Sequence, residues 1–148
     1  MPQFDLNGKT VMITTANNES VGYLYSALKN LGAEVKPMKD LPYVVHHVPE
    51  TITECGQYPK MDAFIIHGVR ADDLERSETR KKILELIQQF KDKCPLVVCS
   101  SCESKVALQE LQNAGVKHLN YMDMDEEQLA SSIADIVAQQ ARRGHSHA

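Results

Sequence analysis

The sequence predicts an α/β domain in which one parallel β-sheet carries helices on both faces. Short apolar runs alternate with amphipathic stretches five times along the chain, and no repeat or low-complexity segment interrupts the alternation. The chain has 148 residues, of which 43% are hydrophobic and 24% charged, as is ordinary for one globular domain with a single sizeable core. These observations favour a doubly wound fold built from consecutive strand–helix units.

The first two strands are separated by a clear helix. Residues 10–15 (TVMITT) form an apolar run after a polar entry, which indicates a buried strand. A helix of about three turns follows, and Gly32 stands where helix ends favour glycine. Residues 34–38 predict the second strand, and Pro37 favours a position at the edge of the sheet. The apolar face of the helix consists of Val21, Leu24, Tyr25, Leu28 and Leu31.

The middle of the chain combines its least regular segment with its clearest helix. Three prolines interrupt residues 39–60, where we expect at most a short helix over 50–55. Residues 62–67 (DAFIIH) predict the third strand, and residues 77–91 predict a long amphipathic helix. The buried stripe of that helix consists of Ile83, Leu84, Leu86, Ile87 and Phe90.

Two further strand–helix units complete the pattern. Residues 95–99 predict the fourth strand, a helix over 103–113 follows, and residues 117–120 give a short fifth strand. The last helix begins near Asp125, because acidic side chains stabilise helix N-termini. Its core positions are Leu129, Ile133, Ile136 and Val137. We expect one domain over residues 1–141 and a flexible tail over 142–148.

Five strand–helix units require a parallel sheet with helices on both faces. Right-handed crossovers leave few topologies, and the flavodoxin-like strand order 2-1-3-4-5 is the common one at this size. In such a sheet a site lies at the carboxyl ends of the strands. The candidate site residues are therefore those at the predicted strand ends, namely 15–18, 67–73, 100–102 and 121–123.

Charge and composition exclude several classes of function. The formal net charge is −4 and the pI about 5.8, which disfavours a broad phosphate-binding surface, so we expect no nucleic-acid partner. No apolar run approaches the roughly 20 residues that span a bilayer, and the N-terminus lacks the features of a secretory signal. We therefore expect a cytoplasmic location without direct membrane contact, as a separate chain or as part of a longer protein. The 4 cysteines do not imply a disulfide scaffold.

Four short motifs occur in the order and at the spacing typical of one family. Residues 6–11 (LNGKTV) resemble its lead-in to the first strand, and residues 31–35 (LGAEV) resemble its first helix end and second strand. Residues 114–116 (AGV) resemble the turn before its fifth strand, and residues 125–129 (DEEQL) the start of its last helix. Over residues 6–140 the chain thus resembles response-regulator receiver domains, especially those of hybrid sensor histidine kinases.

The resemblance also implies a degenerate phosphorylation pocket. Receivers hold Mg²⁺ with two acidic residues after the first strand, and they need an acceptor aspartate, a Ser or Thr, and a Lys at three later strand ends. These positions fall on Thr15, Ala16, His67, Ser100 and Met122, and only Ser100 fits the pattern. Without carboxylates a Mg²⁺ ion lacks its preferred ligands. The resemblance thus implies a pseudo-receiver that is not phosphorylated, uses no cofactor or metal, and is not an enzyme.

Receivers usually convey their state through the helix before the fifth strand, that strand and the last helix. The resemblance therefore implies that this face docks another protein, although the same residues could simply be solvated. The expected partner is a histidine kinase, another domain of a parent protein, or a second copy of the chain in a homodimer. The candidate residues are Lys105, Gln109, Gln112, Lys117, His118, Tyr121, Gln128 and Ser132.

The cysteines leave a different function open. Cys99 and Cys102 end the fourth strand next to a predicted helix N-terminus, which stabilises thiolates, and His67 ends the neighbouring strand. These three residues could form a redox or metal site, or they could be ordinary buried side chains. A ferredoxin-type cluster that also used Cys94 is excluded, because a strand of about 3.3 Å per residue separates Cys94 from Cys99 by about 16 Å.

An enzymatic alternative rests on two strands. Residues 61–68 and 95–99 also resemble class I glutamine-amidotransferase-like hydrolases and chaperones, which carry a nucleophilic cysteine on a sharp strand-to-helix turn. Here the nucleophile would be Cys99 or Ser100. The small residues usual after that nucleophile are absent from this sequence.

Overall fold

The computed structural model describes residues 5–15, 19–40, 61–69, 74–90, 95–101 and 103–146, together with positions 47, 50 and 53. A single five-stranded sheet lies at its centre, with the strand order β2-β1-β3-β4-β5 and parallel pairing throughout. The strands are β1 (Thr10–Thr15), β2 (Glu34–Asp40), β3 (Ala63–Val69), β4 (Leu96–Ser100) and β5 (Lys117–Asn120). The predicted fold class and strand order are confirmed, and so is the edge position of β2.

Helices cover both faces of this sheet. They are α1 (Glu19–Asn30), α2 (Ser77–Phe90), α3 (Lys105–Asn113) and α4 (Glu126–Ser146). The short helix expected over 50–55 lies outside the described residues, apart from positions 50 and 53. Within the described part of the chain, no helix combines the length and the apolar character needed to cross a membrane.

The sheet separates two apolar cores, because successive side chains of a strand point to opposite faces. One core packs α2 and α3 against the sheet and includes Met12, Phe64, Ile66, Val98, Ile83, Leu86, Ile87 and Leu111. The other packs α1 and α4 and includes Val11, Ile13, Ile65, Val97, Cys99, Leu24, Leu28, Leu129 and Ile133. The predicted helix stripes thus face the cores, although the side chains of Val21 and Phe90 lie outside the described part.

Two helices begin where side chains cap their free backbone groups. Ser104 accepts a hydrogen bond from the Ala107 N–H at 3.3 Å, so α3 starts later than the predicted position 103. At the start of α4, the Gln128 N–H donates to Asp125 Oδ1 at 2.8 Å and the Asp125 N–H donates to Gln128 Oε1 at 2.9 Å. This reciprocal capping box fixes the entry to α4.

The last helix continues beyond position 141, where we expected the domain to end. It runs as far as Ser146. Residues 138–143 (AQQARR) are all good helix formers, so no local signal stops the helix there. The segment predicted as a flexible tail is therefore helical over most of its length.

A charged side chain links the two helices of one face. Arg80 of α2 donates from Nε to Glu110 Oε2 of α3 at 2.9 Å. The same guanidinium donates from Nη1 to the carbonyl oxygen of Leu74 at 2.8 Å. Arg80 therefore ties together α2, α3 and the turn that precedes α2.

The chain entering the sheet packs under the turn that follows α1. The Leu6 N–H donates to the Leu31 carbonyl oxygen at 2.8 Å. Gly32 has a φ of +99°, and a Cβ atom there would lie 1.9 Å from Asn7 Oδ1. This turn therefore requires glycine for its backbone conformation and for the close approach of Asn7.

Candidate functional site

The carboxyl ends of the strands form the edge at which a site was predicted. His67, Ser100 and Met122 are fully described there. For Thr15 only the backbone is described, as the end of β1, and Ala16 lies outside the described residues. Residues 16–18, 70–73 and 102 of the predicted edge also lie outside the described residues.

The end of β1 is clamped to β3 by a buried hydroxyl. Thr14 Oγ1 accepts a hydrogen bond from the His67 N–H at 2.8 Å and donates one to the His67 carbonyl oxygen at 2.9 Å. The β3–β4 register shifts at this point, between Ile66 and Val69. Thr14, which the sequence did not single out, thus satisfies both backbone groups of His67 where the regular ladder is interrupted.

His67, the predicted counterpart of the acceptor aspartate, has a buried ring. The residue is 2% exposed, and its ring stacks on Tyr121 with centroids 6.0 Å apart and planes inclined by 24°. Its Nδ1 atom has no hydrogen-bond partner among the described protein groups. Burial lowers the pKa of His67 below its ordinary value of 6.5, and the charge of Glu126 opposes this only in part. The ring is therefore neutral at pH 7.

Ser100 lies at the end of β4, on the opposite face of the sheet from Cys99. Ser100 is buried, and its Oγ shares a hydrogen bond with His118 Nε2 on β5. Burial also lowers the pKa of His118. The Ser100 carbonyl oxygen accepts a hydrogen bond from the Tyr121 N–H at 3.3 Å. The one residue that fits the receiver pattern is therefore engaged with β5.

The lysine position carries an uncharged side chain. Met122 follows β5 and is 73% exposed. Its backbone N–H donates to Asn120 Oδ1 at 2.9 Å, which holds the turn that leads to α4. A thioether cannot neutralise a phosphoryl group, so the described pocket offers no cation at this position.

Several solved structures share this architecture. A response regulator from Thermotoga maritima has 18% sequence identity and a TM-score of 0.64, with 88% of this chain and 98% of that chain covered. The receiver domain of the histidine kinase CKI1 from Arabidopsis thaliana, complexed with Mg²⁺ and BeF₃⁻, has 22% identity and a TM-score of 0.59, covering 90% and 92%. The chain has the receiver fold.

A third structure agrees with this result. The chemotaxis response regulator CheY4 of Vibrio cholerae is 15% identical, with a TM-score of 0.59 and coverage of 86% and 98%. No protein-family model and no curated protein matches the sequence. At these identities the similarity establishes the receiver fold alone.

Within this receiver fold, Cys99 is a core residue. Burial raises the pKa of its thiol to about 12, so the thiolate needed for redox or nucleophilic chemistry is absent at neutral pH. Among the described residues, no group of three or more His, Cys, Asp or Glu side chains is placed to hold a metal ion. Cys94 and Cys102 lie outside the described residues. Of the proposed set His67, Cys99 and Cys102, the first two are described. Cys99 does not have the lowered thiol pKa of a redox site, and His67 belongs to no described metal-binding group.

The described backbone also lacks the turn that a nucleophile elbow requires. Such an elbow holds its nucleophile in a strained conformation. No non-glycine residue in the described ranges has a positive φ. Cys99 lies within β4 and Ser100 ends it, and both are buried. The geometry at both candidate positions is that of an ordinary strand.

The predicted docking face of the receiver fold is partly exposed and partly turned inward. Lys105, Gln109, Gln112, Lys117 and Gln128 are exposed, whereas His118, Tyr121 and Ser132 are half-buried. The His118 and Tyr121 rings contact Ser100 and His67, so they support the edge of the sheet as well as its surface. Val106, which is 64% exposed on α3, was not among the residues predicted for this face.

Proposed function

We propose that this chain is a receiver-like signalling module that is not phosphorylated and that acts by binding another protein. The proposal places it in the cytoplasm and assigns it no enzymatic activity. The observation that carries it is the neutral, buried ring of His67 at the position where receivers carry their acceptor carboxylate.

The chemistry of the pocket argues against phosphoryl transfer. A phosphoryl group brings nearly two negative charges and three acceptor oxygens, which receivers balance with Mg²⁺ and a lysine. Here Met122 supplies no charge, and Ser100 is bonded to His118. Phosphorylation of His67 itself is disfavoured because its ring is 2% exposed and packed on Tyr121.

Incubation with acetyl phosphate and Mg²⁺, or with a phosphohistidine donor, tests the first half of the proposal. We expect intact-mass spectrometry to show an unmodified chain, while a receiver that keeps all five pocket residues gains one phosphoryl group under the same conditions. An acid-labile, hydroxylamine-sensitive adduct of one phosphoryl group on this chain would contradict the proposal.

The composition of the exposed face supports the second half. The side chains of Lys105, Gln109, Gln112 and Lys117 lie exposed on α3 and β5, and Val106 and Met122 add exposed apolar area nearby. Such a mixture of polar and apolar groups suits a modest, wet and transient interface. The proposed partner is a histidine kinase, another domain of a parent protein, or a second copy of this chain.

A charge-matched pair of variants tests this surface. Lys105→Glu with Lys117→Glu should weaken binding to the purified partner, or self-association measured by sedimentation, by at least about tenfold, or ~1.4 kcal/mol. Tyr121 stays unchanged because it packs on His67. Lys29→Glu with Lys81→Glu changes the same charge on α1 and α2 and should leave association unaltered. If both folded variants behave like the parent, the α3–β5 surface is not the interface.

A further inference from the structure

The His67 ring lies in a buried environment with few groups that could stabilise a positive charge on it. It points toward the core beneath α1 and α4, where described titratable groups come from four elements. These groups include Tyr25 of α1, Cys99 of β4, Tyr121 after β5 and Glu126 at the start of α4. Cys99 keeps its proton, and β1 contributes the uncharged Thr14. Glu126 supplies the negative charge that opposes the effect of burial on the pKa of His67.

A charged ring would be expensive in this environment. Desolvation of an ion without a hydrogen-bonded partner costs far more than desolvation of a neutral group. The Nδ1 atom of His67 has no protein partner among the described residues, so an added proton gains no hydrogen bond in the closed arrangement. A protonated His67 would therefore be stabilised by any movement that admits water to its ring.

The surrounding contacts indicate which part moves. The His67 backbone is held on both its N–H and its carbonyl by Thr14, so the strand itself is fixed. The other side of the ring is covered by Tyr121, which is half-buried and follows the end of the four-residue strand β5. Among the described residues, the cover of the ring that Thr14 does not hold is thus the connection from β5 to α4, residues 121–125, which we term the β5–α4 junction.

We propose that the β5–α4 junction is a proton-operated switch, in which protonation of His67 from solvent releases Tyr121 from the ring and opens the junction. The switch goes beyond the docking function, and only its effect on partner binding depends on that function. Opening would displace Tyr121 and Met122, which border the proposed docking surface. A proton would then control this fold at the position where a phosphoryl group controls a receiver.

The direction of the pH effect follows from the closed and open states. In the open state the hydrated ring has the ordinary histidine pKa near 6.5, whereas burial lowers the pKa in the closed state. Protons are therefore bound preferentially by the open state below pH 6.5. The opening equilibrium constant rises by up to about tenfold per pH unit between the two pKa values, and it is constant well above pH 7.

Hydrogen exchange and NMR of the isolated chain test the switch. Between pH 8 and 5 we expect the His67 ring to titrate below 6.5 and the Tyr121 ring resonances to shift with the same midpoint. The amide protection factors of residues 121–123 should fall by up to about tenfold per pH unit below 6.5. These measurements on the unaltered chain decide the matter even if a variant fails to fold.

Two histidine variants supply the control. His67→Gln should abolish the pH dependence of protection at the junction. His118→Gln removes the half-buried histidine of β5, which bonds Ser100, and should leave the midpoint unchanged. The switch is wrong if His67 titrates at or above 6.5, if protection at residues 121–123 is independent of pH, or if the dependence persists in His67→Gln. At a concentration where sedimentation shows a monomer, no partner is present and these outcomes are independent of the docking test.

Discussion

Replacing Thr14 by valine should destabilise the fold far more than the loss of one hydroxyl suggests. The two side chains have nearly the same shape, so the substitution removes the Oγ1 that bonds both backbone groups of His67 and leaves packing almost unchanged. Each unsatisfied buried polar group costs about 1–3 kcal/mol. With two such groups, we expect the free energy of unfolding to fall by about 2–6 kcal/mol, a large part of the 5–15 kcal/mol typical of a domain.

Urea unfolding followed by circular dichroism measures this change, provided that the slope of the transition is the same in the compared proteins. Thr14→Ser keeps the hydroxyl and loses only a methyl group, so it should cost about 1 kcal/mol. Ile13→Val, in the neighbouring core position, should cost about 0.5–1.5 kcal/mol. If Thr14→Val costs no more than Thr14→Ser, the clamp between β1 and β3 is not a significant source of stability.

Two other predictions concern a turn and a thiol. Gly32→Ala should cost about 1–2 kcal/mol for its left-handed backbone, and it should cost more than Gly115→Ala in chemical unfolding, because a Cβ at Gly32 meets Asn7 whereas one at Gly115 meets nothing within 4 Å. If the two substitutions cost the same free energy of unfolding, the Asn7 side chain moves away from the added Cβ without a measurable penalty. The Cys99 thiol, with a pKa of about 12, should react with iodoacetamide at pH 7 roughly a thousandfold more slowly than a thiol at the ordinary 9.0. Rapid alkylation in the native protein, assigned to Cys99 by peptide mapping, would contradict the burial argument.

The strands and helices were predictable because each carries its own local pattern. An apolar run placed β1 at its observed bounds, and Pro37 predicted that β2 lies at an edge. The predicted bounds of the short strand β5 also match. Right-handed crossovers left few possible topologies, and the strand order was the common one among them at this size. The acidic and amide residues near Asp125 also marked the start of α4, where the capping box forms.

The arrangement of the strand ends was less accessible to sequence reasoning. Thr14 and His67 are separated by 53 positions, and nothing local in either segment indicates that one hydroxyl bonds both backbone groups of the other residue. Tyr121 lies just beyond β5, where the alternation of side chains no longer applies, so its inward position could not be predicted. Only four residues of β5 were available to assign His118 to a face.

The contacts of Arg80 join α3 to the start of α2. Through Glu110 it contacts α3, and through the Leu74 carbonyl it contacts the segment just before α2. A protein that displaced α3 would therefore strain the contact between Arg80 and that segment. Coupling between two binding equilibria is reciprocal. If protonation of His67 changes the affinity of the proposed docking face for a ligand, that ligand must change the proton affinity of His67 by the same factor.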